Sequence, residues 1–260
     1  MVLLVFVDLD PDLADLDALG GFFVLRTGVA PGRALPTLAR AYADPTAADP
    51  EVYEDPVIFR VRKVAKSLGA PQTRIAVSVA HQGLVARLWS VSLGAAALYG
   101  WVPDLDARRL RWDPDGGAPR DLWLSEVRAL PAEALGEVVT EGHLVPLAAA
   151  LHARYTISAR LLWGNAGSAL AGAVRQLDRW ARANGRPEVA ERARALAGPL
   201  LAHPGLSGTL DRSTLRRRSC CLYYRLPGGG LCGDCCFDRP PRPAGSGSRP
   251  PRSSPGATSG

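Results

Sequence analysis

The strongest constraint on this chain is where its cysteines fall. All five lie in the run Cys220-Cys221-Leu-Tyr-Tyr-Arg-Leu-Pro-Gly-Gly-Gly-Leu-Cys232-Gly-Asp-Cys235-Cys236, and the preceding 219 residues contain none. A free cysteine is ordinarily a small buried hydrophobe and would scatter among core positions. Crowded thiols act together, and in a reducing compartment they bind metal instead of pairing as disulfides. The compartment is read from the other end of the chain. Met1 to Val7 is apolar, but Asp8, Asp10 and Asp12 follow with no basic segment and no small-residue cleavage site, so it reads as a core strand and not as a secretory signal. The longest uncharged stretch, Leu88 to Pro103, is shorter than the roughly 20 residues that cross a bilayer and reads as a buried helix. A cytoplasmic protein without a transmembrane segment is expected, and peripheral contact with the inner membrane is compatible with that.

Cys232-x2-Cys235 has the spacing of a chelating knuckle, with Gly233 and the Gly228-Gly229-Gly230 run expected to let backbone amides approach the sulfurs. Such amides, with the positive charge of Arg218 and Arg225, would set the potential of a thiolate-ligated iron–sulfur centre within its window of roughly −700 to +450 mV. Structural zinc usually takes two Cys-x2-Cys knuckles some 15–20 residues apart, and the first knuckle is missing. In a regular strand Cys220 and Cys221 would point opposite ways, so both reach one centre only through a bend or by binding different atoms of it. Residue types and spacing favour a two-iron cluster over a single zinc and leave both open.

The rest of the chain, 260 residues in all, has room for one sizeable core plus an appendage. Apolar residues make up 47% and charged residues 22%, an ordinary globular balance, with disorder expected only at the ends. The net charge of +6 is almost wholly arginine, since Lys63 and Lys66 are the only lysines. The arginines are scattered and their densest run, Arg216-Arg217-Arg218, is three long, which argues against a nucleic-acid partner. A short strand is expected at Gly20 to Leu25, a brief helix at Pro36 to Ala43 before an Asp/Pro-rich loop at 44–56, and a helix at Val57 to Leu68. Thr73 to Tyr99 is apolar all round, with Gly83 and Gly94 as kinks or close contacts, and should form the central helical layer. Leu110 to Trp112, the turn Asp113-Pro114-Asp115-Gly116-Gly117 and Asp121 to Leu124 read as a hairpin. Leu144 to Trp163 and Gly167 to Ala183 read as two helices, with another at about 188–201 after Pro187. The chain then turns Pro/Gly/Ser-rich from His203 and again after Phe237. The expected division is a predominantly helical α+β domain at 1–205 with short strands and a hairpin, a small cysteine module at 206–237 and a disordered tail at 238–260.

The run Arg218-Ser219-Cys220-Cys221-Leu222-Tyr223-Tyr224-Arg225, followed by Cys232 and Cys235, is similar to the Cys-Cys-x10-Cys-x2-Cys signature of the FhuF-like ferric siderophore reductases. Leu161-Leu162-Trp163-Gly164-Asn165 with the small-residue helix after it, and the Gly21-Phe22-Phe23 opening, also resemble that family, so the resemblance spans roughly residues 15–237. It implies a 2Fe-2S cluster on Cys220, Cys221, Cys232 and Cys235 that reduces iron(III) in a siderophore, making the protein an oxidoreductase acting on a metal ion. Cys236 lies outside the motif and competes with Cys235 for the fourth position, although Cys-x2-Cys closes a knuckle more readily than Cys-x3-Cys. Fe(III) suits hard oxygen donors and Fe(II) does not, so one electron releases the metal without destroying the chelator. The cluster is expected near the surface, facing a basic pocket on the helical domain.

The remaining candidates are weak. Trp163-Gly164-Asn165 could touch a chelate, but a Gly-Asn step is also an ordinary helix end and Trp an ordinary core residue. Arg154 and Arg160 read as solvated helix charges. His81, His143, His152 and His203 are too spread for a metal site. No nucleophile elbow and no dinucleotide loop occurs, so electrons must arrive from an unidentified donor. An electron carrier, or a siderophore-binding or assembly protein with structural zinc, stand as the alternative readings.

Overall fold

A computed structural model describes residues 10–30, 32, 34–43, 55–117 and 121–241. The proposed Met1 to Val7 strand, most of the loop at 44–56 and the tail from 242 onward lie outside the described residues.

The long apolar segment forms α4, Thr73–Tyr99, with Ile75, Val77, Leu84, Val85, Leu88 and Trp89 all buried. Because it is apolar on every side, it can bury itself only by being surrounded. The elements that do so are α3 (Pro56–Leu68), α6 (Ala159–Ala183) and α7 (Pro187–Leu200), together with strand β2 (Trp101–Pro103), which continues α4 after a turn at Gly100. Each large aliphatic side chain so buried contributes roughly 1.5–3 kcal/mol. Gly94 is a close contact: a Cβ there would stand 2.7 Å from the ring of Phe23.

Strand β1 (Arg26–Thr27) begins just beyond the expected 20–25 segment, whose Phe23, Val24 and Leu25 are buried but belong to no strand. Ahead of it lie the short helix α1 (Asp10–Asp15) and a 3-10 turn, Leu16–Leu19. Helix α2 (Leu38–Tyr42) is capped by Thr37, whose hydroxyl accepts from the Arg40 amide, so Pro36 precedes the cap and is not its first helical residue. The hairpin forms as expected from β3 (Leu110–Trp112) and β4 (Leu122–Leu124), with Leu110 opposite Leu124 and Trp112 opposite Leu122. β1 adds to β4 in parallel, and β2 pairs with a strand the sequence did not announce, β5 (Ala129–Pro131). Buried Arg87 of α4 lies 2.9 Å from Asp121 at the start of β4, tying the hairpin to the central helix.

Two expected helix boundaries are wrong. The helix read at Leu144 to Trp163 ends at Arg154: a π-helix, Glu137–Leu144, runs into α5 (Val145–Arg154), and Tyr155–Ser158 separates it from α6. The wide turns stand just before Pro146, which has no N–H for the helical ladder and whose ring crowds the carbonyl four residues back. The helix read from Gly167 begins at Ala159 instead, so Trp163, Gly164 and Asn165 lie inside it. Arg154 is likewise no solvated charge. Its Nε is 2.6 Å from Asp55 Oδ2, both side chains are buried, and Asp55 also caps α3 through the Val57 and Ile58 amides. Ala132–Arg154 is long and apolar enough to cross a membrane, but Val139, Leu144, Leu147 and Leu151 enter the core and Glu133, Glu137 and Glu141 interrupt it.

His143 is fully buried, with Nε2 2.7 Å from the Leu105 carbonyl and Nδ1 2.8 Å from the Tyr42 hydroxyl. Burial lowers its pKa to about 4, so between about 4 and 6.5 the unfolded chain binds the proton that the folded one refuses. Stability should therefore rise with pH across that window, by about 3 kcal/mol from this group, and be fully present above it. Urea unfolding at stepped pH tests this. His143→Gln should flatten the slope by about that amount, and an unchanged slope would show that the imidazole is not held neutral.

Candidate metal centre

Past α7 the chain returns over the α4–α6 pair, and the five free thiols lie on this returning segment. The bend required at the adjacent pair is present: Leu222 is left-handed (φ 66°), a conformation costing a non-glycine residue about 1–2 kcal/mol. The bend aims the Leu222 amide at Cys220 Sγ, 3.2 Å away, and the Phe237 amide donates to Cys235 Sγ at 3.4 Å. The glycines serve differently from expectation. Gly228 turns with φ 69°, and a Cβ on Gly229 would stand 2.3 Å from the Tyr223 carbonyl, so this run folds the chain over the 3-10 turn Tyr223–Arg225.

Cys221 Sγ and Cys232 Sγ approach to 3.6 Å. The hydrogen bond between them lowers Cys221 to about 7, helped by the positive charge of Arg217, and holds Cys232 well above the usual thiol range. Burial raises Cys220, and it raises Cys236 to about 11 with help from the neighbouring Cys220 and Cys235 sulfurs. The five sulfurs are thus electrostatically coupled, and thiols so coupled are released as thiolates only against positive charge. Among the described residues no three Cys, His, Asp or Glu side chains converge closely enough to hold a single ion.

That positive charge comes from Arg217. Arg218 and Arg225 were expected to supply it, but Arg218 is exposed and lies 3.7 Å from Asp211, and Arg225 is exposed against Tyr224. Arg217, the middle residue of the Arg216-Arg217-Arg218 run, is 3% exposed. Its guanidinium donates to neutral oxygens, Gln82 Oε1 at 3.3 Å and Asn165 Oδ1, while its Nε has no partner. A buried cation held by neutral groups is costly unless an anion lies near. The charge it influences is that of Cys220, Cys221 and Cys232. The donor set therefore fits an anionic thiolate-ligated cluster.

Asn165 explains the Trp-Gly-Asn motif. Fully buried in α6, it accepts from Arg217 and donates to the Ser78 carbonyl at 3.0 Å and hydroxyl at 3.1 Å, while the Ser78 hydroxyl donates to the Cys221 carbonyl at 2.7 Å. His81 completes the cluster of polar groups, its ring nitrogen 3.5 Å from Asn165. Burial and the nearby Arg217 push its pKa down to about 3, so it is neutral. Gly164 admits the cysteine segment to the helix: a Cβ there would stand 1.9 Å from Ser219 Oγ, and one on Gly167 would stand 2.4 Å from Thr209 Oγ1. Trp163 lies against Gly205 and His203, and Arg160 contributes only its carbonyl, which accepts from Ser219. The motif is a seat for the cysteine segment. A sequence signal was available, since small residues three apart on one helix face mark close approach, but Gly beside Asn read as punctuation.

A cleft of about 260 Å³ opens beside the paired sulfurs, with Cys221, Cys232, Arg217 and Asp234 on its wall and the half-exposed rings of Phe22 and Tyr223 at its edge.

Gly164→Val should overpack this seat and cost about 1–3 kcal/mol, mostly by loosening the cysteine segment. Its melting temperature should fall and its thiols should react faster with a disulfide reagent in metal-free protein. Wild-type thiol reactivity in this variant would show that the seat does not hold the segment.

A family model described as ferric iron reductase FhuF-like transporter matches residues 70–226, and one described as FhuF 2Fe-2S C-terminal domain matches residues 217–237, which indicates a 2Fe-2S cluster as cofactor. No curated protein matches the chain.

Proposed function

Since the chain belongs to the FhuF-like ferric iron reductase family, we propose that it reduces Fe(III) held in a siderophore to Fe(II), with Cys220, Cys221, Cys232 and Cys235 as the ligands of its 2Fe-2S cluster. The observation that carries this reading is the cleft: two of the four proposed ligands form part of the wall of an open pocket, where a substrate can reach them. When bound, the cluster supplies a single electron. The substrate iron leaves its hard oxygen donors once it carries the lower charge. The segment at about 206–237 works as the electron-transfer unit, residues before it supply the seat, and an external one-electron donor in the cytoplasm refills it.

The protein's own residues set the conditions for that step. Arg217 offsets the negative charge that accumulates when the thiolate-bound centre is reduced, and a buried charge is little screened by solvent. Ser78 holds the Cys221 carbonyl, which fixes one ligand's backbone against α4. Asn165 orients both. Cys236, half-buried beside Cys235, is left as a fifth thiol.

Stopped-flow mixing of dithionite-reduced protein with a ferric siderophore should restore the oxidised visible spectrum, and unchanged absorbance would end the reductase reading. In Cys232→Ser the anaerobically purified protein should lose most of its colour, iron and acid-labile sulfide, whereas Cys236→Ser should keep them. The reverse result would reassign the ligands. Arg217→Gln should lower the midpoint potential by at least ~59 mV, a tenfold change in a one-electron equilibrium. A potential unmoved in spectroelectrochemical titration would remove Arg217 from that role.

A further inference from the structure

The cleft at the thiols does not end there. A second one, of about 320 Å³, continues between α4 and α6 and shares Phe22, Gln82 and Ser168 with the first as a common wall. Its floor is made of small residues, Ala86, Ala169, Gly172 and Ala173, which is why a groove exists between two packed helices at all. At its far end stand Arg175 and Arg179. No carboxylate among the described residues pairs with either: Arg179 donates only to the amide oxygen of Gln176. The one acidic side chain lining either cleft is Asp234, at the thiol end, nine-tenths buried and with one carboxylate oxygen unpartnered. The open cationic charge therefore lies away from the sulfurs, since the cation at the thiol end, Arg217, is buried on Gln82 and Asn165 and shares that wall with Asp234. Phe22, 39% exposed at the junction, and Tyr223, 41% exposed at the thiol end, are two of the few large apolar side chains the described surface leaves open.

We infer that this groove is the substrate site and that it selects ferric chelates carrying free carboxylates, bound with those carboxylates on Arg175 and Arg179, the ligand body across Phe22 and the metal end toward Cys221 and Cys232; the inference rests on the reductase reading of the same site. Guanidinium and carboxylate match in charge and fork geometry, so they account for recognition at the far end. At the thiol end Arg217 already donates to Gln82 and Asn165 and Asp234 adds a negative charge, so the two open arginines at the far end set the ligand's direction. A chelate of net positive charge meets two arginines and loses affinity there. Phe22 supplies apolar area common to any chelate backbone and so contributes to binding without charge preference.

Gallium(III) replaces iron(III) in such chelates with the same charge but accepts no electron, which separates binding from reduction. The experiment titrates the intact cluster-loaded protein, followed by isothermal calorimetry, with the gallium complexes of aerobactin, a citrate dihydroxamate with free carboxylates, and of desferrioxamine B, whose complex is cationic. Aerobactin should bind more tightly, and Arg175→Ala/Arg179→Ala should weaken it about tenfold while leaving the cationic complex unchanged or improved, with the visible spectrum of the cluster unaltered. Phe22→Ala should weaken both complexes alike. Equal binding of the two chelates to wild type, or an anionic chelate indifferent to loss of both arginines, overturns the groove even if ferric siderophore still reoxidises the reduced protein. Arginine-dependent binding of the gallium complex with no electron passing to the ferric one supports the groove and counts against the reductase reading alone.

Discussion

The arrangement rests on one buried contact, the Arg217 guanidinium on Asn165. Arg217 enters from the cysteine segment and Asn165 from the middle of α6, and each alone would be an expensive burial. Together with Ser78 they form a short chain of hydrogen bonds that ends on the backbone of Cys221. A polar network of this kind is worth having only when its members are satisfied. Here the remaining unsatisfied atom is Arg217 Nε, whose charge an anionic thiolate centre on the neighbouring cysteines would complete electrostatically. Seat and electrostatics are thus one device: the same side chain docks the segment and neutralises what the segment carries.

The device needs close approach, and close approach needs the absence of side chains. Gly164 and Gly167 strip one face of α6 so that Ser219 and Thr209 come down onto the helix backbone. Glycine in a helix interior costs about 0.5–1 kcal/mol against alanine, so helix propensity is given up for the contact. Farther along the same helix Gly172 and the alanines leave the α4–α6 pair open as a groove. One small-residue run thereby seats the cysteine segment at one end and makes room for a ligand at the other.

Around this the fold is conventional. An all-apolar helix is surrounded by amphipathic ones, and a hairpin is pinned to it through Arg87 and Asp121. The buried Asp55–Arg154 pair performs the same service between α3 and α5. Taking away one member of such a pair leaves a buried charge alone, which is why ion pairs at these depths hold elements in register even when their net contribution is small.

The chain by itself determined what depends on composition, spacing and local periodicity. The clustered thiols and their Cys-Cys-x10-Cys-x2-Cys spacing were legible, as were the central helix at Thr73–Tyr99, the α3 helix and the hairpin, because a continuous apolar run, a capped amphipathic stripe and a turn between short strands are all written within a few residues of one another. Tertiary structure alone decided which arginine is buried beside the thiols. Nothing local separates Arg217 from Arg216 and Arg218; what separates them is Asn165, 52 residues away in sequence. It likewise decided that Gly164-Asn165 continues a helix, that Arg154 is buried, and that Phe22 and Arg175 share a groove. Each of these turns on which distant group occupies the space beside a side chain, and for polar residues that neighbour sets the difference between a solvated charge and a buried partner.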